Sequence, residues 1–289
     1  MIEAGIPAKP ADGNLRILMV GDLVGKPGLR MACDSVSWIR KVLRADALVV
    51  NAENAADGSG LRCKDYRRLC DAGVDLITLG DHAFRKREIM EVLDKESNIV
   101  RPANLPQNAP GKGTAVVTIE GVGIAVTSLL GRVFMKPVDC PFNAAKAELD
   151  GVQENVAIHL VDFHAEATSD MQLMGRFLDG QVAAVLGTHT HVATADEQIL
   201  PKGSGFQCDV GMTGPFQSIL GRRIDAVQEA TLDGVPTPFQ VATEDVRLNG
   251  TWFDVEIETG RCKDIGRLEL REQTIVDFNA ALLAQKKVL

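Results

Sequence analysis

Between residues 14 and 96, short apolar runs alternate with stretches whose apolar residues recur at helical spacing. "LRILMVGD" (15–22) is an apolar run closed by Gly21-Asp22, the pattern of a strand buried on both faces. "PGLRMACDSVSWIRKVLR" (27–44) follows with a helical period and with Pro27 near its start. The alternation repeats: strand at 46–54 ("DALVVNAEN"), helix at 64–74, strand at 75–82 ("DLITLGDH"), helix at 86–96. Strand and helix in turn predict βαβ units on a mostly parallel sheet. "TAVVTIEGVGIAVTSLLG" (114–131) splits around Glu120-Gly121 into two runs, a predicted hairpin. Further buried strands are predicted at 155–166 ("NVAIHLVDFHAE") and 181–191 ("QVAAVLGTHTH"), with a helix over 169–180 between them. After residue 198 the chain turns β-rich, at 205–214 and 250–272, and a helical stretch at 274–287 closes it. The fold class is therefore α/β, a layered sandwich of two sheets with helices outside. Without a repeat or a linker, residues 14–289 read as a single domain behind a flexible tail, residues 1–13.

In open α/β sheets, functional groups collect where strands end. Here the first strand ends at Asp22, the second at Glu53 and Asn54, and the third at Asp81 and His82. Two later runs end at His164 and at His189 and His191, so four of the five histidines belong to this set. Each alone has an ordinary reading: an Asp after a strand caps a helix or makes a turn, and a loop histidine is commonly just solvated. His159, five residues before His164, falls on the opposite face of its strand and is left out. Together, the residues point to a shared metal site. They are too many for one tetrahedral zinc, and the imidazoles disfavour Mg²⁺ or Ca²⁺ alone. Mixed His/carboxylate sets suit Fe, Mn, Zn or Co. A glutamate can bridge two ions about 3.5–4 Å apart, as in two-metal hydrolytic sites, and His189 and His191 then read as ligands to different ions of one pair.

Composition narrows the partners. A net charge of −8 and 4% aromatic residues argue against long nucleic acid or a membrane surface. A small anionic substrate stays open if bound metal reverses the local sign. The six cysteines, at 33, 63, 70, 140, 208 and 262, form no CxxC pair or regular framework and read as reduced thiols. No secretory signal and no apolar stretch of about 20 residues is visible, so a cytoplasmic location is expected.

The order of these motifs resembles the calcineurin-like metallophosphoesterases, here through "GDLVG", "NAENAADGSG", "LGDHAF", "VDFHAE" and "GTHTH". More closely, "GDLVGKPG", "VVNAENAA", "SLLGRVFM", "VDFHAEATS", "LGTHTHVATAD" and "DVGMTGP" resemble the bacterial YmdB-like branch, described as 2′,3′-cyclic-nucleotide phosphodiesterases. The resemblance runs from about residue 15 to 270. It implies the calcineurin-like fold, with two mixed sheets flanked by helices. It implies that Asp22, Glu53, Asn54 and His191 hold one metal, that Glu53 bridges to a second held by Asp81, His164 and His189, and that His82 protonates the leaving oxygen. The ions would be two divalent or mixed-valence transition metals, iron first, with manganese or zinc as alternatives. The implied reaction is hydrolysis of a small cyclic nucleotide by a metal-bound hydroxide. A phosphomonoesterase or short-RNA nuclease on the same centre, or a metal- or nucleotide-binding regulator without turnover, are the rival readings. A homo-oligomer stays open. Two departures stand out. Leu23-Val24 replaces the histidine of the superfamily's Asp-x-His block, with Asn54 in compensation. Gly80-Asp81-His82 stands where the family has Gly-Asn-His. Arg132 reads as a phosphate contact or an ordinary surface arginine.

Overall fold

In the computed structural model, residues 6–152 and 156–286 are described. Residues 1–5 of the expected tail, Asn155 and Lys287 lie outside them. Of the remaining tail, Ala8 offers its carbonyl to Arg16 Nη2 at 2.8 Å, and Gly13 offers its own to the Ile257 amide at 3.0 Å.

The strands are β1 (Asn14–Val20), β2 (Asp22–Leu23), β3 (Ala47–Asn51), β4 (Leu76–Thr78), β5 (Ile99–Val100), β6 (Thr114–Ile119) and β7 (Val122–Leu130), then β8 (Val156–His164), β9 (Ala184–Thr188), β10 (Gln198–Ile199), β11 (Gly205–Gln207), β12 (Met212–Pro215), β13 (Val246–Glu256) and β14 (Arg261–Arg271). The α-helices are α1 (Gly25–Trp38), α2 (Cys63–Ala72), α3 (Ile89–Lys95), α4 (Pro141–Gly151), α5 (Thr168–Leu178), α6 (Ile224–Asp233) and α7 (Glu272–Lys286). One sheet carries β1, β3, β4 and β5 in parallel, with β13 antiparallel to β1 and β14 on the far edge of β13. The other has the order β10-β11-β9-β8-β7-β6, parallel from β11 to β7. Two mixed sheets flanked by helices form the layered α/β sandwich that the sequence predicts.

Alternation along the strands builds the layers. From β1, Leu15, Ile17 and Met19 face the second sheet and meet Ile124, Val126, Ile158, Leu160, Ala184 and Leu186. Leu18 and Val20 point the other way, into the core shared with α1, α2 and α3. The outer face of the second sheet, with Val161, Phe163 and Val185, is covered by α4 and α5. Arg16 lies opposite Asp254 and pairs with it in two hydrogen bonds of 2.7 Å, with its guanidinium over Trp252. This pair is buried, so a one-residue slip between β1 and β13 would strand a charge inside the protein.

The hairpin turn at Glu120-Gly121 has positive φ at both positions, 50° and 83°, as a two-residue type I′ turn requires. The strand expected over 205–214 divides: β11 joins the second sheet and β12 the first, with residues 208–211 crossing between them. The helix expected to reach Arg44 ends in a π turn, Ile39–Leu43. Helices α4 and α6 were not expected. The first buries only Pro141 and Ala145, and the second buries no residue, so neither carries the strong apolar stripe that marks a helix in sequence.

The inter-sheet layer is graded. Inward positions read Ala47, Val49, Asn51 on β3, Leu76 and Thr78 on β4, Val126 and Ser128 on β7, Leu160, Asp162, His164 on β8, and Leu186, Thr188 on β9. The layer is apolar through most of its depth and turns polar only at the strands' C-terminal ends.

His159 lies away from that polar end, as expected, buried with Nε2 2.7 Å from Thr127 Oγ1. Burial holds its pKa down at about 4, against 6.5 for a free imidazole. Between these values the unfolded chain binds the extra proton, so stability is full above pH 6.5 and falls as pH falls toward 4, by about 3 kcal/mol. His159→Gln should flatten that part of the stability–pH curve relative to wild type, as measured by urea midpoints at pH 7, 5.5 and 4.5. Parallel curves would show that His159 does not contribute.

Candidate metal centre

The C-terminal ends of both sheets meet at one point. Glu53, Asp81, His164 and His189 each bring one ligand atom within 4.8 Å of the other three. His164 Nε2 stands 3.2 Å from Glu53 Oε1, 3.4 Å from Asp81 Oδ1 and 3.0 Å from His189 Nδ1. Ligands bonded at about 2.0–2.2 Å to one ion lie about 3.0–3.5 Å apart, so these separations fit a single metal position. Asp22 and Asp81 each keep an Oδ1 that is buried without a hydrogen-bond partner among the described residues. Such orphaned carboxylate oxygens are costly in a protein interior unless a cation meets them.

The electrostatics agree. Burial opposes charge on His164, yet Glu53, Asp81 and Asp22 raise its pKa well above the ordinary value. Burial also works against the charged forms of Glu53 and Asp81, but His164 above all holds both carboxyls below their usual range. Burial and the neighbouring His164 push His189 down. A proton on His164 thus supplies the positive charge that a metal ion at the same point would supply more fully.

Polar contacts to the rear fix which imidazole nitrogen faces inward. Thr188 Oγ1 donates to Asp162 Oδ1 at 2.7 Å, so it accepts from His164 Nδ1 at 2.8 Å and leaves Nε2 for the cluster. His189 Nε2 lies 3.3 Å from Glu166, turning Nδ1 inward. His191 Nδ1 donates to the Leu220 carbonyl at 3.1 Å, leaving Nε2 toward Asp22 Oδ1, 4.0 Å away. His189 and His191 both have positive φ, 107° and 65°, unusual for non-glycine residues. Asp209 holds the turn between them through the amide and hydroxyl of Thr190. Burial, with Asp22 nearby, pushes Asp209 up to about 8. At Gly80 a Cβ would come within 2.5 Å of both Glu53 and His164, so only glycine lets the backbone pass this close.

All eight strand-end residues singled out in the sequence gather here: a tight four, three beside them, and His82. The tight four surround one position. Asp22, Asn54 and His191 lie beside it, joined through Glu53, which accepts from Asn54 Nδ2 at 3.1 Å. Asn54 departs from the expected ligand role in one respect: Nδ2 faces His191 Nε2 at 3.2 Å, while Oδ1 accepts from His82 Nδ1 at 2.7 Å. In this orientation the amide bridges two histidines. His82 is anchored also by its amide to Glu53 Oε2 at 3.0 Å, and its Nε2 lies 3.9 Å from Asp81 Oδ2. Asp162, Thr188, Glu166 and Asp209 were not singled out. Asp162 carried a signal, an acid inside the apolar run "IHLVDFH" two residues before His164 on the same strand face.

A family model described as YmdB-like protein matches residues 18–268. The chain belongs to this family. It is 40% identical over 258 residues to the 2′,3′-cyclic-nucleotide 2′-phosphodiesterase of Bacillus subtilis (strain 168), covering 89% of this chain and 98% of that one. Among solved structures, a hypothetical protein from Thermus thermophilus superposes with a TM-score of 0.84 at 40% identity, over 89% of this chain and all (100%) of the other. A structure described as a novel phosphatase from Mycoplasma pneumoniae gives 0.83 at 33% identity, covering 89% and 94%. The YmdB-like match thus spans β1 to β14 and includes every residue of the cluster. No described helix is long and apolar enough to cross a membrane.

Thr188→Val keeps the shape of the side chain and removes the hydroxyl between His164 and Asp162. Loss of such a rear contact typically weakens metal binding about 10–100-fold. Chelator competition on the folded variant should show this loss. Unaltered affinity would make the Asp162–Thr188–His164 chain irrelevant to binding.

Proposed function

We propose that this YmdB-like phosphoesterase hydrolyses phosphodiesters of small cyclic nucleotides, 2′,3′-cyclic nucleotides among them, on a centre of two transition-metal ions. The observation that carries the reading is the buried convergence of Glu53, Asp81, His164 and His189, with orphaned carboxylate oxygens at Asp22 and Asp81. The relatives named as phosphodiesterase and phosphatase support the phosphoesterase class. Glu53, Asp81, His164 and His189 would hold one ion. Asp22, His191 and Asn54, its amide turned to present Oδ1, would hold the other, with Glu53 shared. The mixed nitrogen and oxygen donors suit iron, manganese or zinc, and the family resemblance puts iron first. Bound there, the metals would supply positive charge for the phosphoryl oxygens and acidify an attacking water.

The chain's own residues do the rest. The carboxylates Asp22, Glu53 and Asp81 fix the charge of the centre, and the extra carboxylate at Asp81 makes it more negative than an asparagine would. With the Asn54 amide so turned, Nδ2 takes the place of Oδ1 against His82 Nδ1 and donates to it, which leaves the ring's proton on Nε2, the arrangement of a group that gives a proton to the departing alkoxide. Asn54 sets the tautomer and direction of that ring.

Elemental analysis of the purified protein should find close to two transition-metal ions per chain, and chelation should abolish diester hydrolysis reversibly. A single ion, or activity indifferent to chelators, would overturn the two-metal reading. His82→Ala should retain the metal and lower turnover of cyclic nucleotides by about 10²–10⁴-fold. The loss should shrink for bis-p-nitrophenyl phosphate, whose leaving group needs little protonation. Equal losses for both substrates would remove His82 from the acid role.

A further inference from the structure

The motif "SLLGRVFM" has so far no task. Leu130 at the end of β7 lies in register with His164, and the Gly131 amide donates to the His164 carbonyl at 2.9 Å. The loop then turns outward. Asp170 Oδ2 accepts from the amides of Arg132 and Val133, both at 3.1 Å, pinning the loop's base. Phe134 follows with φ 61° and its side chain 89% exposed, the most exposed large hydrophobic side chain among the described residues. Both features are unfavourable: an apolar ring in water and a bulky residue in the left-handed region. Strain of this kind on a pinned loop beside a functional cluster is an argument for a role in binding. Phe134 stands three residues beyond Gly131, at most about 11 Å of chain from the cluster's backbone. Arg132 and Lys136, both exposed, flank it at two residues on either side. An exposed aromatic ring with a cation two residues to either side, on the loop that leaves the strand end beside His164, suits an anionic ester that carries a flat aromatic ring.

We propose that Phe134 is the stacking face of a nucleobase subsite, with Arg132 and Lys136 drawing in the anionic ester. This rests on the cyclic-nucleotide reading above and adds how the base is selected. The rival seat for a base is a cavity of about 410 Å³ beyond His191, lined by Val192, Met212, Phe216, Leu220 and Leu268.

Two variants test the assignment. Trp38 and Trp252 are buried, so in Phe134→Trp the new indole is the exposed emitter. Adenosine 3′-monophosphate should quench its emission saturably, and ribose phosphate should not. In Phe134→Ala, the kcat/KM preference for adenosine 2′,3′-cyclic phosphate over ribose 2′,3′-cyclic phosphate should fall about tenfold, within the range measured for base–aromatic stacking. Absence of quenching with an undiminished preference overturns the proposal. So does a preference lost in Leu220→Ala but kept in Phe134→Ala, which places the base beyond His191. A changed oligomeric state of Phe134→Ala at unaltered preference also overturns it, and assigns the ring to a subunit contact. Nucleotide-specific quenching in a protein that hydrolyses no cyclic nucleotide would sustain the subsite and defeat the proposed activity instead.

Discussion

Asp22 and Glu53 are buried carboxylates, Asp81 is largely covered, and all three surround the fully buried ring of His164. Negative charge gathered in this way is tolerable only with a compensating cation. Much of the surrounding architecture serves that requirement. The apolar layer between the sheets changes to Asn51, Thr78, Ser128, Asp162 and Thr188 just below the cluster, all fully buried. Hydrogen bonds from these side chains cross between the sheets: Asn51 Nδ2 donates to Asp162 at 3.1 Å, and Ser128 Oγ donates to the backbone carbonyl of Leu79 at 2.7 Å. The sheets are thus joined by apolar packing through most of their depth and by directed hydrogen bonds at the end where position matters.

Direction is the second contribution of that layer. An imidazole offers a lone pair to a metal on only one nitrogen, and the hydrogen bond at the other decides which. Thr188, Glu166 and the Leu220 carbonyl make that decision for His164, His189 and His191. Leu220 belongs to the segment between β12 and β13, which Arg222 ties to the loop after Glu53 through the carbonyls of Asp57 and Gly58. The weakly packed helix α6 follows in the same segment. The metal-facing geometry therefore depends on groups from both sheets and from a surface segment with little core of its own.

Much of this was readable in the linear chain, for a definite reason. A strand buried on both faces must be apolar throughout, so a charged or imidazole side chain at its end marks where the chain emerges. That rule located Asp22, Glu53, Asp81, His164, His189 and His191 on five separate strands or the loops after them. It left out Asp209, which sits in the crossing between β11 and β12 and follows no apolar run. Thr188 escaped too, since threonine is an ordinary strand residue and its value lies in two partners 24 and 26 positions away.

The sequence alone determined the α/β alternation, the residues that end the strands, and their suitability for transition metals. Each follows from local periodicity and side-chain chemistry. Tertiary structure decided how the candidate residues divide, four in one tight group and three beside it, with Asn54 turned toward His82. It decided that β11 and β12 belong to different sheets and that Phe134 stands exposed. Such features depend on distances between segments far apart in the chain, and on which polar atom a neighbour leaves unpaired. Neither quantity is carried by residue order; both appear only when the sheets pack.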